Sequence, residues 1–321
     1  MRRRSFGRWG WPVSEVGYGM WGMGGWTGSD DRRSRAALDR AVELGCNFFD
    51  TAYAYGEGHS ERLLAEVRRR YPGVRLYVAT KVPPKDRHWP GLATTPARDV
   101  FPYDHVVEMT HKSLVNLGVE RIDLQQLHVW SDAWVEDDGW RRAVEDLKRK
   151  GLIEGFGISV NRWEPANVLR ALETDLVDSV QVVYNIFDQA PEDELFPACQ
   201  RRRVAVIARV PFDEGSLTDT LTVDTRWSDK DWRSLYFTPE RLRETLDRVE
   251  RLRPLVPTGD TLPELALRFI LHHPVVSTTI PGMRHVRNVE ANLAASDRPP
   301  LPPELVAALR NHRWERTWRV P

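Results

Sequence analysis

Short, apolar, β-branched runs alternate with helical patterns along this 321-residue chain from one end to the other, and that rhythm leaves few folds open. Candidate strands cover residues 16–21, 47–52, 76–82, 122–128, 155–160, 179–185, 204–210 and 276–281. Between them, apolar residues recur at three- and four-residue spacing over 35–44, 61–70, 106–117, 140–150, 165–172, 194–202 and 262–271, as in helices with one buried face. Several of these end at glycine, as in Leu44-Gly45, Leu117-Gly118 and Lys150-Gly151, where a left-handed residue closes the helix. Eight buried-looking strands, each followed by a helix, predict an α/β fold, a parallel sheet closed into a (β/α)8 TIM barrel, with residues 1–321 forming one domain. An open, doubly wound sheet satisfies the same count, since strand number alone does not show closure. The aromatic, glycine- and proline-rich stretch 6–13 predicts a short N-terminal β-hairpin. Two long connections, 83–102 and 212–239, are polar and carry Pro and Gly, as functional or mobile loops tend to.

Composition narrows the function. Forty-six basic side chains balance 46 acidic ones, which removes the electrostatic case for a nucleic acid or an anionic membrane surface as partner. The longest apolar runs, such as residues 204–208, fall far short of the ~20 residues that span a bilayer. The N-terminus is basic, but no apolar stretch follows it, so it does not read as a secretory signal. Cys46 and Cys199 are too few for a disulfide framework or a cysteine metal cluster and read as inert, reduced thiols of a cytoplasmic protein.

Four polar residues sit at or just past the C-terminal ends of candidate strands: Asp50, Tyr55, Lys81 and His128. In a parallel barrel those ends share the face that carries the active site, so residues far apart in sequence converge without a local motif. Each has a plainer reading. Asp50 can cap the following turn, one of the neighbours Tyr53 and Tyr55 can serve packing alone, and His128 can be a hydrogen-bonded core residue. Lys81 is harder to dismiss, because an apolar strand does not end in an inward lysine without a partner for the charge. Together the four have the logic of carbonyl reduction. A tyrosine with a pKa of ~10 is a poor proton donor at neutral pH. A lysine cation beside it lowers that value, a carboxylate holds the lysine charged, and a neutral histidine orients the substrate carbonyl. No side chain supplies a hydride, so the set calls for a nicotinamide cofactor.

Gly17-Tyr-Gly-Met-Trp-Gly22 matches the GxGxxG dinucleotide fingerprint, but its context is wrong. The next helical pattern starts only near Asp30, Trp21 would crowd a pyrophosphate, and Asp50 lies beyond the ~20 residues expected for the ribose acid. The better reading is a glycine-rich loop at the barrel mouth, with Met20 and Trp21 lining the pocket. His272 and His273 are adjacent, and no His-x-His follows an early strand, so no metal site is expected.

With these residues in view, the chain resembles the aldo-keto reductase superfamily over essentially its whole length. The segment Phe49-Asp-Thr-Ala-Tyr-Ala-Tyr-Gly56 is similar to the family's signature, and Thr80-Lys81 and Leu127-His128 fall at the expected distances. The resemblance implies a (β/α)8 barrel that uses NADP(H), with Asp50, Tyr55, Lys81 and His128 as a catalytic tetrad and Tyr55 as general acid in reduction. It also implies that Ser159 and Gln181 bind the nicotinamide carboxamide and that Phe212, Ser216 and Leu217 belong to a loop along the pyrophosphate. Arg284 would meet the 2′-phosphate through charge-assisted hydrogen bonds, with Asn288 and Asn292 facing the adenine and Met20 and Trp21 completing the cofactor site.

Three positions depart from the family pattern. Val160 follows Ser159 where asparagine is common, and Asn161 comes next. Gly282 stands where lysine is common, which leaves Arg284 as the main phosphate anchor. Arg209 stands where an aromatic side chain often stacks on the nicotinamide. A guanidinium can stack too, and its charge favours the neutral, reduced ring over the cationic, oxidised one. The expected function is NADPH-dependent reduction of an aldehyde, ketone or keto-sugar carbonyl to an alcohol. The pocket would be lined by Trp21, His88, Trp89 and Trp130 together with Tyr55 and His128. The alternative is an NADPH-binding regulatory, redox-sensing barrel with little turnover. For the C-terminal segment 314–318 two placements stay open, over the barrel mouth or against the outside.

Overall fold

The computed structural model describes residues 1–25, 28–229 and 231–318. An antiparallel hairpin comes first, β1 (Arg3–Phe6) paired with β2 (Trp11–Ser14). Eight parallel strands follow: β3 (Tyr18–Gly19), β4 (Phe48–Asp50), β5 (Tyr77–Val82), β6 (Ile122–Leu127), β7 (Ile153–Ser159), β8 (Ser179–Val183), β9 (Ala205–Arg209) and β10 (Val276–Thr279). They lie side by side in sequence order. Backbone bridges from Val16 to Thr279 and from Gly19 to Gly282 join the first strand to the last, with Gly17 N donating to Thr279 O at 2.8 Å. The sheet is therefore a nearly closed barrel, as the rhythm of strands and helices predicts, and not an open doubly wound sheet. Glycine is needed at the seam, since a Cβ on Gly19 would come 2.5 Å from Ile280 O.

Side-chain alternation sorts the barrel interior into layers. The lower layer, toward the N-terminal strand ends, is apolar. Phe48, Tyr77, Ala79, Leu124, Ala205 and Ile207 form one cluster with Phe6, Trp11 and Val13 of the hairpin. Phe6 stacks on Trp11 and on Phe48, ring centroids 5.3 and 5.4 Å apart, so the hairpin plugs the bottom of the barrel. Further along the same strands the inward positions turn polar, with Asp50 on β4, Lys81 on β5, Gln126 on β6, Gln181 on β8 and Arg209 on β9. Gly157 on β7 leaves room for Gln126 beside it, because a Cβ there would come 3.1 Å from Gln126 Cγ and 2.3 Å from Ser179 Oγ. A one-residue slip in any of these strands would turn its polar group out of the barrel.

A second core fills the space between the strands and the helices around them, which include Asp31–Glu43, His59–Arg70, Tyr103–Leu117, Asp138–Arg149, Leu195–Arg202 and Leu262–His272. Asp30, Asp137 and Thr261 cap helix starts by accepting a backbone N–H, and Gly118 closes Tyr103–Leu117 at φ 61° as its sequence predicts. Beyond the sequence expectation lie three longer helices, Pro239–Leu252, Val286–Ala294 and Pro303–Arg310, and two single turns, Ala97–Val100 and Arg233–Tyr236. A proline at the first helical position starts a helix as readily as it ends a loop, which is how Pro239 misleads. The opposite correction applies to 165–172, which is helical only over Leu169–Leu172. There Asn167 accepts from Asp132 N and donates to Glu164, side-chain bonds that compete with a helical turn. Among the described residues no helix is long and apolar enough to cross a membrane.

Candidate active site

Asp50 ends β4, Lys81 lies near the end of β5 and His128 directly follows β6, so the parallel strands deliver all three to one end of the barrel. Tyr55 arrives from the turn between β4 and the helix His59–Arg70. Gly56 and Gly58 adopt φ of 69° and 82° in that turn, values that side chains oppose, and reverse the chain over Tyr55. Lys81 Nζ donates to Asp50 Oδ1 at 2.7 Å, to Thr51 O at 2.7 Å and to Tyr55 OH at 3.4 Å. The His128 ring meets Tyr55 edge-on with centroids 5.6 Å apart, and Trp89 meets His128 edge-on at 5.7 Å. The four residues form one cluster.

Burial sets the charge states. It works against the Lys81 ammonium, but Asp50 and Tyr55 beside it outweigh that effect and raise its pKa, so the lysine stays charged. Tyr55 departs from the expectation of a lowered pKa. Burial pushes the phenol up, Lys81 pulls it down by less, and Asp50 adds repulsion against a phenolate. The physical reason is burial, which outweighs the attraction of Lys81, while Asp50, 2.7 Å from Nζ, offsets part of the lysine charge. His128 is held well below the usual histidine range by burial, with repulsion from Lys81 and Arg209 added, and its Nδ1 has no protein partner. The cluster thus presents a protonated phenol and a neutral imidazole side by side.

The remaining sequence candidates separate into groups. Trp21 and Trp89 are each 41% exposed, which is unusual for tryptophan and suits a pocket rim. Met20 is not on that rim; its side chain is fully buried while its N–H donates to Asp50 O. His88 is exposed, with Nδ1 on Pro90 O at 2.9 Å, and makes no ring contact with His128. Trp130 is fully buried between Trp134 and Trp140 and donates Nε1 to Asp132, because a ring of that size gains more by filling the outer core than by facing solvent. The loop carrying Trp89 is moored to other elements at two points and closed on itself at a third: Asn161 Nδ2 donates to Gly91 O at 3.0 Å, Trp134 Nε1 to Thr95 O at 2.7 Å, and within the loop Lys85 N to Val100 O at 2.9 Å. Asn161 therefore ties a loop and does not replace the asparagine absent at Val160.

Ser159 is buried at the end of β7, and Gln181 on β8 donates Nε2 to Asp50 Oδ2 at 2.7 Å. Arg209 Nη2 donates to Val160 O at 3.0 Å while its Nε has no partner, and burial together with the nearby Arg162 charge lowers its pKa to about 10. Arg284 runs along the glycine loop, where a Cβ on Gly22 would come 2.9 Å from its Cδ. Burial and the charge of Arg233 lower the Arg284 pKa, and Asp231 opposes them. Asn288 and Asn292 lie one turn apart on Val286–Ala294, Asn288 half-buried and Asn292 buried. Phe212 is half-buried ahead of the turn Asp213–Thr218. Leu217 is fully buried and Ser216 Oγ donates to Asp213, so these two offer backbone, and not side chains, to anything bound along the turn. The 314–318 segment packs at the rim of the mouth, with Trp314 N donating to Phe187 O and Trp318 against Trp163 and Tyr236.

Sequence reasoning passed over two groups. Gln126 donates Nε2 to Asp50 Oδ2 at 3.4 Å, and its place in the apolar strand Ile122–Leu127 carried the same signal as Lys81. Asp213, Arg162 and Arg316 form a charge network with no local signal at all. Two grooves of about 500 and 710 Å³ open on the helical exterior, one beside Tyr53 and Lys112 and one beside Arg68 and Arg75, and neither includes a residue of the four-membered cluster. Among the described residues no group of three or more His, Cys, Asp or Glu side chains is placed to hold a metal ion.

Comparisons with known proteins agree with this architecture. The oxidoreductase YqkF of Bacillus subtilis is 29% identical over 317 residues, 97% of this chain and 96% of its own length. The aldo-keto reductase YhdN of the same organism is 28% identical over 88% of this chain and 85% of its own. The solved structure of the aldo-keto reductase AKR11C1 from Bacillus halodurans, in its holo form, superposes with a TM-score of 0.77 at 28% identity, covering 98% of this chain and 96% of that one. The model of the Aldo/keto reductase family matches residues 15–313, and the chain accordingly belongs to that family.

Proposed function

We propose that this protein reduces the carbonyl group of an aldehyde, ketone or keto-sugar to an alcohol, with NADPH as reductant and Tyr55 as proton donor. The observation that carries the reading is the cluster of Asp50, Lys81, Tyr55 and His128 at one barrel end. The residues present fit a nicotinamide dinucleotide phosphate. Buried polar atoms without protein partners, Arg209 Nε, His128 Nδ1 and Gln126 Oε1, belong to inward positions of the upper barrel. Arg284 runs beside the glycine loop with Arg233 and its partner Asp231 close by, a basic neighbourhood to which a phosphate would add a counter-charge. Ser159 and Gln181 would hold the carboxamide, Arg284, Asn288 and Asn292 the adenosine end, and Phe212 with the Asp213–Thr218 turn the pyrophosphate. Bound there, the nicotinamide supplies the hydride that no side chain can.

The protein's own groups handle the proton. Tyr55 stays protonated because its pKa is raised by burial, and its OH gives a proton to the carbonyl oxygen as negative charge develops there. Lys81, 3.4 Å from the Tyr55 hydroxyl, steadies the phenolate left behind, and Asp50 keeps the lysine in place and charged. Gln181 and Gln126 fix the second Asp50 oxygen. His128, neutral, orients the carbonyl by one hydrogen bond without competing to protonate it. Trp21 and Trp89 offer apolar surface to the rest of the substrate. The buried, unpaired thiols of Cys46 and Cys199, pushed up to about 11 and about 12 by burial, suit a reducing compartment, and we place the protein in the cytoplasm.

The test is NADPH oxidation, followed by absorbance, with a panel of aldehydes, ketones and keto-sugars. Turnover is expected, and Tyr55→Phe is expected to lower kcat by about 10²–10⁴ while NADPH still binds. The rate should also show no limb near pH ~6.5, since His128 does not titrate there. Tight NADPH binding with no turnover on any carbonyl would replace this reading with that of a regulatory barrel.

A further inference from the structure

One buried cation takes no part in the chemistry above. The Arg316 side chain, near the end of the described residues, has no exposed surface. Its Nη2 lies 2.6 Å from Asp213 Oδ1 and its Nη1 2.7 Å from Asp188 Oδ1. Trp314 packs against the guanidinium at 4.3 Å, and Trp163 and Trp318 stand 5.6 Å away. Desolvating two charges offsets most of what their attraction returns, so an ion pair this deeply buried is a weak device for stability alone. Its partner points to another role.

Asp213 opens the Asp213–Thr218 turn, in which Asp213, Glu214 and Gly215 have φ of 44°, 57° and 106°. Such values are unfavourable for aspartate and glutamate and persist only where the surroundings hold them. Here side chains do so. Asp213 accepts from Ser216 Oγ at 2.8 Å, from Tyr236 OH at 3.0 Å and from Arg316, and Glu214 lies 2.5 Å from Arg162 Nη1. Two carboxylates on one turn are matched by two guanidiniums. Arg162 comes from the loop after β7, whereas Arg316 comes from 103 residues further along the chain.

On the function proposed above, this turn borders the anionic pyrophosphate. We propose that Arg316 is a positioning residue for the dinucleotide: it cancels the charge of Asp213 and anchors the Asp213–Thr218 turn, which makes the C-terminal segment part of the cofactor site. Without it, Asp213 keeps only the Arg162 guanidinium, 3.6 Å away and already held by Glu214, against its negative charge beside a ligand of the same sign, and the turn loses an anchor. Both effects weaken binding, and neither requires Arg316 to touch the cofactor.

The test uses the full chain and NADPH, read by quenching of tryptophan fluorescence at equilibrium and by stopped-flow displacement. Arg316→Met is expected to raise the NADPH Kd at least tenfold, mostly through faster dissociation. Arg316→Lys keeps the charge, loses the two-pronged grip and is expected to fall between. Combining Arg316→Met with Asp213→Asn removes the stranded charge and is expected to recover part of the affinity, which a merely structural role would not do. An Arg316→Met protein with a lowered melting temperature but a Kd within twofold of wild type overturns the inference. Should that variant fail to fold, an unchanged dissociation rate in Arg316→Lys overturns it instead. If wild type does not bind NADPH, the proposed function and this inference fall together; if it binds and the Arg316 variants do not respond, only the inference falls.

Discussion

The two ends of the barrel share the same strands and the same alternation, yet they fill their interior differently. At the bottom, Phe6, Trp11, Phe48 and Tyr77 stack ring on ring, with the half-exposed Arg75 guanidinium lying over the last of them at 4.4 Å. At the top, Asp50, Lys81, Gln126, Gln181 and Arg209 occupy the equivalent inward positions, and two of their polar atoms, Gln126 Oε1 and Arg209 Nε, have no protein partner. Bottom and top differ in what they leave unsatisfied, and a barrel places its chemistry at the end where something is missing.

That contrast can be broken by substitution. The largest effect is expected for Lys81→Met, which leaves Asp50 buried beside only two amides. Unfolding measurements should show a loss of about 3–5 kcal/mol, and carbonyl reduction should fall at least about a hundredfold, since the phenol loses its cation. A stable Lys81→Met protein with wild-type turnover would mean that the top is ordinary core. Phe6→Ala sharpens the comparison from below. It should cost about 3–5 kcal/mol of stability by opening a cavity under the barrel, while kcat/KM measured well below the melting temperature stays within about twofold. A large fall in kcat/KM there would show that the two ends are not separable. The smallest effect is expected for Arg209→Tyr. Removing a cation held to the protein by one backbone carbonyl should lower the preference for NADPH over NADP+ by about tenfold, or about 1.4 kcal/mol, in paired binding titrations. An unchanged ratio removes Arg209 from the account of cofactor preference.

How far these features could be read in the sequence depended on whether their signal was local. A lysine inside an apolar strand announces a buried partner, and Asp50 proved to be that partner. The same argument reaches Gln126, but an uncharged amide in an apolar run draws less notice than a cation. Trp130 misled because an aromatic two residues past a strand end serves the pocket and the outer core equally well on paper; the surrounding tryptophans decide, and they come from other elements. The direction of the Tyr55 shift was hidden because lysine attraction can be inferred from spacing, whereas the opposing burial exists only once the chain is folded. Arg316 gave no sign, since its carboxylates lie 103 and 128 residues away.

The sequence marks the loop that carries Trp89 as functional or mobile, and its two moorings and closed neck bear on how the candidate site would admit a substrate. A flap that must swing shut selects by what it can wrap around. A tethered wall holds a standing aperture of fixed outline, and molecules are sorted at the threshold by whether they fit it.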